Sequence, residues 1–478
     1  MQLRYGAVFI SVIAMLTGPS LATAKASLAG SRGVRRWAAS RAPSRLMTGV
    51  IEGFYGPDWT MGETTALFGF MAAHHFNTFV YAPKYDPYQR AKWNQPYPPK
   101  RLALLASLVR TAERDHLAFV YSISPGLSIH YDSPRDFSLL VAKIRQVESI
   151  GVRHFMLSFD DIASPPTGQL AVAQARLADR VLHQGRQGDP TFSLLFTPTL
   201  YYGTSPNPYW QGLKTALYQG IHVIWTGPWV LSRTITAGEA QTVEHLTGHQ
   251  LVIWDNYPVN DYTYVQPPHH PHLFLGPLLG RSADLVRQVR GYLFNPMLQA
   301  QASEVALWTG AAFLNHPRRY HPLTAWSHAV AGLGGNAQAS FRLFAAANSQ
   351  SFLSATLSTL NGQITQFWVH PPAHPLHSGL AAAFTHMAAA NRDLAEHLPS
   401  QRLYQQIAPW SRLFSQEGQA GLGALHLWAR ARTGHRPSAT ALARLQQSAS
   451  AIQRSTLSLD TSAPIVGFLN AVRSHLSP

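Results

Sequence analysis

Residues 154–161 read His-Phe-Met-Leu-Ser-Phe-Asp-Asp. The first six form an apolar run with the length and composition of a buried β-strand. Two adjacent carboxylates follow it, and burying both costs free energy unless they are paired or partly neutralised. At the C-terminal end of a barrel strand such a pair suits acid–base chemistry, with one group ionised and its neighbour protonated. The pair alone leaves an alternative open, in which Asp161 caps the next helix and Asp160 lies in a surface turn.

Seven more strand-like segments share the chain with this one, and helix-like segments separate them. The candidate strands are residues 46–53, 77–81, 117–122, 154–159, 192–197, 222–226, 251–254 and 291–294. The candidate helices between them include residues 60–74, 99–115, 134–150, 168–184 and 237–246. Eight apolar strands that alternate with helices over about 265 residues predict an α/β fold, a (β/α)8 TIM barrel, rather than an open doubly wound sheet. No G-x-G-x-x-G follows the first strand, which argues against a dinucleotide-binding domain.

Polar residues or turn residues follow nearly every candidate strand. These strand ends are residues 52–56, 82–84, 124–126, 160–161, 198–201, 227–228, 255–258 and 295–296. In a parallel barrel all of them meet at one face, which is where barrel enzymes build their active sites. Any single end could be ordinary turn chemistry, but their recurrence predicts a functional site at this face.

The N-terminus is typical of a secretory signal, with Arg4, an apolar stretch at residues 7–16 and small residues at 22–24. We expect residues 1–24 to be a signal peptide and residues 25–45 a flexible leader. No later segment approaches 18 uninterrupted apolar residues, so we expect the mature protein to be soluble, and periplasmic or secreted.

From about residue 317 the sequence becomes rich in Ala, Leu, Ser and Gln, with apolar residues at helical spacing. This change predicts a catalytic barrel over residues 46–316 and an all-α helical bundle over residues 317–478. Two roles remain open for the bundle: it buttresses the barrel, or it extends a groove for the substrate.

The composition argues against nucleic acid as a partner and against cysteine and metal chemistry at the site. The net charge is +15, but the basic residues are dispersed and accompany no nucleic-acid-binding motif, which predicts a bias towards anionic polysaccharides rather than nucleic acid. The chain has no cysteine, which excludes thiolate catalysis and zinc–thiolate sites. Histidines cluster at 269–272 and 370–377, among prolines in loop-like segments, and we interpret them as solvated rather than metal-binding. No metal or cofactor is expected.

The motifs at the strand ends resemble those of glycoside hydrolase family 84, which contains bacterial β-N-acetylglucosaminidases, hyaluronidase-like enzymes and animal O-GlcNAcases. The matching segments are residues 49–56 (Gly-Val-Ile-Glu-Gly-Phe-Tyr-Gly), 81–84 (Tyr-Ala-Pro-Lys), 86–88, 123–126, 159–161, 225–228, 254–261 and 294–297. Any one match is weak, but they run in chain order and as an ordered set they are specific. The resemblance implies a retaining mechanism in which the substrate's own 2-acetamido oxygen attacks the anomeric carbon and forms an oxazoline, an exception to the two-carboxylate scheme.

By this resemblance Asp160 and Asp161 are the catalytic pair. Asp160 is implied to orient and polarise the acetamido N–H, and Asp161 to act as general acid and then as base for water. Like charge beside like charge favours one ionised and one protonated carboxyl, which agrees with these roles. A regular strand points neighbouring side chains to opposite faces, so both can face one sugar only if the backbone turns after the strand.

The resemblance also implies a set of substrate-binding residues. Tyr201 and Asn256 would hold the acetamido group, and Trp254 would wall its pocket. The residues implied to bind or approach the ring hydroxyls are the backbone of Gly53, Lys84, Asp261 and Asn295, with Tyr55 close by. On sequence alone, Trp254 could also be a core aromatic and Tyr55 a packing residue.

Together these features predict an exo-acting β-N-acetylglucosaminidase whose partner is a β-linked N-acetylglucosamine glycoconjugate or polysaccharide. An endo-acting hyaluronidase-like enzyme remains an alternative, as does a non-catalytic amino-sugar-binding protein that kept the barrel. Leu200 stands where relatives commonly carry Glu, and Tyr85 stands where an Asp commonly follows the Lys. Both departures leave the catalytic pair intact.

Overall fold

The computed structural model describes residues 46–266 and 269–477. The predicted signal peptide (1–24) and leader (25–45) lie outside the described residues. Within them, eight parallel strands pair in chain order and close into a barrel, as predicted. The strands are β1 (Met47–Glu52), β2 (Thr78–Tyr81), β3 (Ala118–Ile123), β4 (His154–Ser158), β5 (Ser193–Thr197), β6 (His222–Trp225), β7 (Leu251–Asp255) and β8 (Gly291–Phe294).

Helices cover the outside of the barrel and then form the C-terminal part of the chain. The helices of the barrel are α1 (Met61–Ala73), α2 (Pro99–Arg114), α3 (Pro134–Glu148), α4 (Gly168–Gly188), α5 (Pro208–Ala216), α6 (Ala237–Thr247), α7 (Tyr262–Val265), α8 (Leu285–Gln288) and α9 (Ala300–Asn315). Those that follow are α10 (Pro322–Gly334), α11 (Gln338–Ala346), α12 (Leu360–Val369), α13 (Gly379–His397), α14 (Gln401–Arg432), α15 (Ala439–Gln453) and α16 (Ser462–Leu476). Among the described residues, no helix combines the length and the apolar character needed to cross a bilayer.

Strand alternation divides the apolar side chains into two layers. Each strand places one fully or almost fully buried residue inside the barrel: Ile51, Val80, Val120, Met156, Leu195, Ile224, Val252 and Leu293. On β4 the neighbours Phe155 and Leu157 belong instead to the larger core between the barrel and its helices, because successive side chains of a strand point to opposite faces. This is why residues 155–159 are apolar at every position but one.

A layer of hydroxyl groups lies above the apolar ring, towards the carboxyl ends of the strands. Ser158 of β4 lies 3.0 Å from the Ser122 hydroxyl of β3 and donates to Thr197 of β5 at 3.2 Å. Each hydroxyl residue stands two positions after a residue of the apolar ring, so it also points inwards. The same alternation carries the next inward position of this chain segment to Asp160.

The helices of the C-terminal part form a bundle whose longest member is α14. Gly421 lets α14 approach α13 closely, since a Cβ there would lie 2.6 Å from the ring of Phe384. Gln406 of α14 docks the bundle on the barrel: its amide donates to Glu63 of α1 at 2.8 Å and to Gln301 of α9 at 2.9 Å. The predicted helical bundle is therefore present, and it is in contact with the barrel.

A carboxyl group lies in the core of this bundle. Glu417 of α14 is fully buried, and the hydroxyls of Thr461 (2.6 Å) and Ser462 donate to it. Burial raises the pKa of Glu417 to about 7 despite these two hydrogen bonds. The folded state therefore binds this proton more tightly than the unfolded state does.

We expect the wild-type chain to lose roughly 2–3 kcal/mol of unfolding free energy between pH 5 and pH 8 that the Glu417→Gln variant does not lose. The folded pKa of about 7 lies above the ordinary value of 4.5. The stabilising contribution is therefore complete below pH 4.5 and is lost as the pH rises through 7. Denaturant unfolding of the full chain at both pH values measures the difference. Glu396→Gln, on an exposed position of α13, is the matched control, and equal pH dependence in wild type and Glu417→Gln would contradict the assignment.

Candidate active site

Asp160 lies directly above the barrel interior, where β4 ends. Its side chain is buried, and its Oδ2 forms an ion pair with Nζ of Lys84, which is also buried and follows the end of β2. Burial alone would raise the pKa of Asp160, but the positive charges of Lys84 and Arg90 outweigh it, so the pKa lies below its usual range. Its Oδ1 is buried and accepts no hydrogen bond from any described residue. Asp160 is thus an ionised carboxylate with one acceptor oxygen to offer.

Asp161 sits in a left-handed backbone conformation, with φ of 53°. This turn breaks the alternation of β4, so the two carboxylates of the pair can share one side of the barrel mouth. The Asp161 carboxylate accepts hydrogen bonds from two phenols, Tyr201 at 2.7 Å and Tyr55 at 2.9 Å. The alternative that Asp161 caps the next helix is wrong, because Thr167 caps α4 through the Leu170 N–H.

Arg90 holds the turn at Asp161 and was not anticipated from the sequence. Its buried guanidinium donates through Nη2 to the Asp161 carbonyl oxygen at 3.0 Å. It also lies 5.9 Å from the centre of the Tyr55 ring, the ring whose hydroxyl contacts Asp161. A single arginine in the loop after β2 carries no sequence pattern that separates it from the other dispersed basic residues. We regard Arg90 as a positioning residue, since it acts on the backbone of Asp161.

The wall of the site opposite β4 is built around Trp254 at the end of β7. Trp254 belongs to the cluster inside the barrel and is 5% exposed, so it is both a core aromatic and a wall of the site. A Cβ on Gly53 would lie 2.2 Å from the Trp254 ring, which is why glycine stands there. Lys84 Nζ lies 5.3 Å from the centre of the same ring. The indole Nε1 is buried and has no partner among the described residues.

Two amide side chains continue this wall. Asn295 follows β8 and accepts from the Gly53 N–H at 3.2 Å. Its own Nδ2 donates to Asn256 at 2.9 Å, and Asn256 in turn donates to the Val230 carbonyl at 2.8 Å. These bonds fix the orientation of both amides, so their remaining polar atoms are held in place before any ligand arrives.

Asp261 lies at the start of α7, in the long connection between β7 and β8. Its Oδ2 accepts from the Tyr55 backbone N–H at 2.7 Å, and burial raises its pKa to about 6. At pH 7 the carboxylate is therefore mostly ionised, and a proton bound below pH 6 would remove part of its capacity to accept hydrogen bonds.

The helical bundle holds the connection that carries Asp261. Asn260 donates to the His272 carbonyl at 2.9 Å, which closes the connection on itself. The His272 Nε2 atom lies 3.1 Å from Oδ1 of Asp460, which precedes α16. Trp410 of α14 donates to the Pro271 carbonyl at 3.1 Å. The interpretation of His272 as a solvated loop histidine is therefore wrong, because its side chain is only 12% exposed and lies against Asp460, between α15 and α16.

All ten residues predicted for the site are joined by contacts at the same end of the barrel. They are Asp160, Asp161, Gly53, Tyr55, Lys84, Tyr201, Trp254, Asn256, Asp261 and Asn295. Their arrangement offers an ionised carboxylate, a second carboxyl held by two phenols, and a wall of one indole and two amides. Their individual roles towards a sugar stay predictions. No group of three or more His, Asp or Glu side chains suited to a metal ion occurs in residues 46–266 and 269–477.

The chain matches a family model and curated sequences. A family model described as beta-N-acetylglucosaminidase matches residues 48–346. The Protein O-GlcNAcase sequences of Rattus norvegicus and Mus musculus are each 35% identical over 308 residues, covering 62% of this chain and 32% of theirs. The chain thus spans about a third of the length of these curated relatives.

Two solved structures share the architecture over most of the chain. The structure of CpGH84B aligns with a TM-score of 0.77 at 25% identity, covering 90% of this chain and 77% of that one. A mutant of the Thermobaculum terrenum O-GlcNAc hydrolase aligns with a TM-score of 0.77 at 28% identity, covering 90% and 94%. The similarity therefore extends past the matched family model into the helical bundle.

Proposed function

Since the chain belongs to the beta-N-acetylglucosaminidase family, glycoside hydrolase family 84, we propose that it releases terminal β-linked N-acetylglucosamine by substrate-assisted catalysis. The observation that carries this proposal is the unequal environment of the two carboxyl groups. Asp160 is buried and ion-paired with Lys84, whereas Asp161 is held by two phenols at the less buried edge of the site. Adjacent carboxyl groups in different environments can take different protonation states and different roles.

In the first step the substrate's acetamido oxygen forms a bond to the anomeric carbon as the bond to the leaving oxygen breaks. Asp160 accepts a hydrogen bond from the acetamido N–H through its unpartnered Oδ1, and its negative charge stabilises the positive charge that develops on the forming ring. Asp161 gives its proton to the leaving oxygen. The products of this step are the aglycone alcohol, which carries the proton from Asp161, and a sugar oxazoline whose ring nitrogen keeps its proton and its hydrogen bond to Asp160.

In the second step water opens the oxazoline. Asp161, now a carboxylate, takes a proton from the water as the water oxygen bonds to the anomeric carbon. The bond between that carbon and the acetamido oxygen breaks, which restores the acetamido group. Configuration is retained because two displacements occur at the same carbon. The phenols of Tyr55 and Tyr201 hold the Asp161 carboxyl in place through both steps, and burial together with the charge of Asp161 raises the pKa of each phenol well above its usual range. They therefore remain donors at neutral pH.

The remaining residues fit the sugar around these groups. Trp254 supplies an apolar wall for the acetyl methyl, and Asn256 supplies a fixed amide beside it. Asp261 and Asn295 offer charged and amide partners for ring hydroxyls. A site built from buried polar partners rejects an epimer strongly, because the wrong hydroxyl leaves such a partner unpaired.

We further propose that the protein is exported, on the strength of the signal-like pattern in residues 1–24. The net charge of +15 favours a substrate that is part of an anionic polymer or is attached to one, because opposite charges attract. It also favours the endo-acting alternative, a hyaluronidase-like enzyme. A fall in the viscosity of hyaluronan before any monosaccharide appears would establish that alternative.

The direct test is hydrolysis of an aryl β-N-acetylglucosaminide beside its N-trifluoroacetyl analogue. We expect kcat/KM to fall steeply, by about 10²-fold or more, as fluorine makes the acetamido oxygen less nucleophilic. An enzyme that used a protein nucleophile would show only a small difference between the two substrates. Tight binding of N-acetylglucosamine without turnover of either substrate would instead favour a sugar-binding protein.

A further inference from the structure

The loop after β6 carries an exposed indole on a firmly held backbone. Trp229 is 47% exposed, and no ring pair among the described residues includes it. The backbone N–H of Trp229 donates to the Ser232 hydroxyl at 3.0 Å. Its backbone carbonyl accepts from the hydroxyls of Ser232 at 2.8 Å and Thr226 at 3.0 Å. Both backbone polar groups are satisfied locally, so the loop is ordered although its largest side chain faces solvent.

This loop is bonded to the active site on both sides. On one side the Thr226 N–H donates to the carbonyl of Tyr201, the residue whose phenol holds Asp161. On the other side the Val230 carbonyl, next to Trp229, accepts from the Asn256 amide at 2.8 Å. Trp229 is therefore placed between two walls of the site, at its outer edge.

We propose that the indole face of Trp229 is the platform of an aglycone subsite, and that the group it binds is a pyranose ring. This inference rests on the proposed function, because it concerns what is attached to the departing oxygen. Trp254 already closes the barrel side of the site, so the aglycone must leave towards solvent, where Trp229 stands. One face of a pyranose presents C–H groups that pack on an aromatic face, while its hydroxyls remain in water.

A rigid, half-exposed aromatic suits a sugar better than an extended peptide. A peptide aglycone needs backbone hydrogen-bond partners in an extended edge or groove. At Trp229 the backbone N–H and carbonyl are already taken by Ser232 and Thr226, so only the indole is on offer. The substrate class assigned to this site is a glycan that continues beyond the terminal N-acetylglucosamine.

Two substrates with poor leaving groups test the subsite by turnover: methyl β-N-acetylglucosaminide and the β-1,4-linked disaccharide of N-acetylglucosamine. We expect Trp229→Ala to lower the ratio of kcat/KM for the disaccharide to that for the methyl glycoside by about tenfold. Trp229→Phe should keep most of the ratio. Tyr218→Ala is the matched control, since Tyr218 is 51% exposed and precedes the same strand at the opposite end of the barrel.

Equilibrium binding keeps the test independent of turnover. In an Asp161→Asn background, the disaccharide should bind more tightly than the monosaccharide. Trp229→Ala should lower the ratio of the monosaccharide Kd to the disaccharide Kd by about tenfold. Equal effects of Trp229→Ala on both sugars would overturn the subsite, and so would a larger loss on an N-acetylglucosaminyl-serine peptide than on the disaccharide. Lack of turnover by the wild type, with the binding difference intact, would overturn the proposed function alone.

Discussion

We expect Asp161→Asn to lower kcat/KM by about 10³-fold on β-N-acetylglucosaminides with alkyl or sugar leaving groups. The loss should be much smaller on aryl glycosides whose phenol leaves without a proton. The reason is that Asp161 supplies the leaving-group proton, and an amide cannot. Asparagine is the appropriate replacement because it tolerates the left-handed backbone at this position, where φ is 53°. Steady-state kinetics over a series of leaving groups of graded pKa measures the effect.

The pattern across leaving groups separates lost chemistry from lost structure. An unfolded or distorted site would reduce turnover of every substrate by a similar factor. Asp284→Asn, an exposed carboxylate that pairs with Arg318 at 3.0 Å, is the control and should change nothing. Equal losses on activated and unactivated substrates in Asp161→Asn would contradict the assignment of Asp161 as general acid.

Asp160→Asn should lower kcat by about 10²- to 10³-fold on every substrate, whatever the leaving group. Its carboxylate acts on the acetamido group and not on the departing oxygen, so a better leaving group cannot compensate for its loss. The variant should also bind a thiazoline mimic of the intermediate much more weakly, because the mimic's positive charge then lacks its counter-charge. Inhibition constants for the mimic, in wild type and variant, measure this directly.

Asp160→Asn also leaves Lys84 buried without its partner, so part of the loss could come from the fold. The low pKa of Asp160 means that its stabilising contribution is present above pH 3.8 and is lost as the pH falls through the folded value. Unfolding free energies of Asp160→Asn and of Lys84→Met at pH 7 measure that contribution. An Asp160→Asn variant that is inhibited by the thiazoline as strongly as the wild type would contradict its role.

The strands and their ends could be predicted because short-range patterns determine them. Alternation on β4 sends Met156 into the barrel and Phe155 into the outer core, and apolar residues on both faces give the segment its signature. The carboxyl ends of parallel strands meet at one face whatever their spacing in the chain. That single rule brings Gly53 beside Asn295, 242 residues away.

The sequence could not reveal contacts that depend on how distant elements dock. Arg90 touches Asp161 through the backbone carbonyl, which every residue possesses, so nothing in the sequence near either residue marks the pair. The contact between His272 and Asp460 joins a barrel connection to the start of a bundle helix. Its histidine sits among prolines, a composition that also suits a solvated loop. The left-handed backbone of Asp161 could only be inferred as a turn of some kind.

The connection between β7 and β8 couples ligand binding at the sugar site to the stability of the bundle. Asp460 and Trp410 hold this connection in the conformation that presents Asp261. If those contacts strengthen the binding of a ligand at Asp261 by a given free energy, the bound ligand stabilises the contacts by the same free energy. A substitution that destabilises the core of the bundle should therefore weaken the affinity for the ligand, and a saturating ligand should restore part of the lost stability.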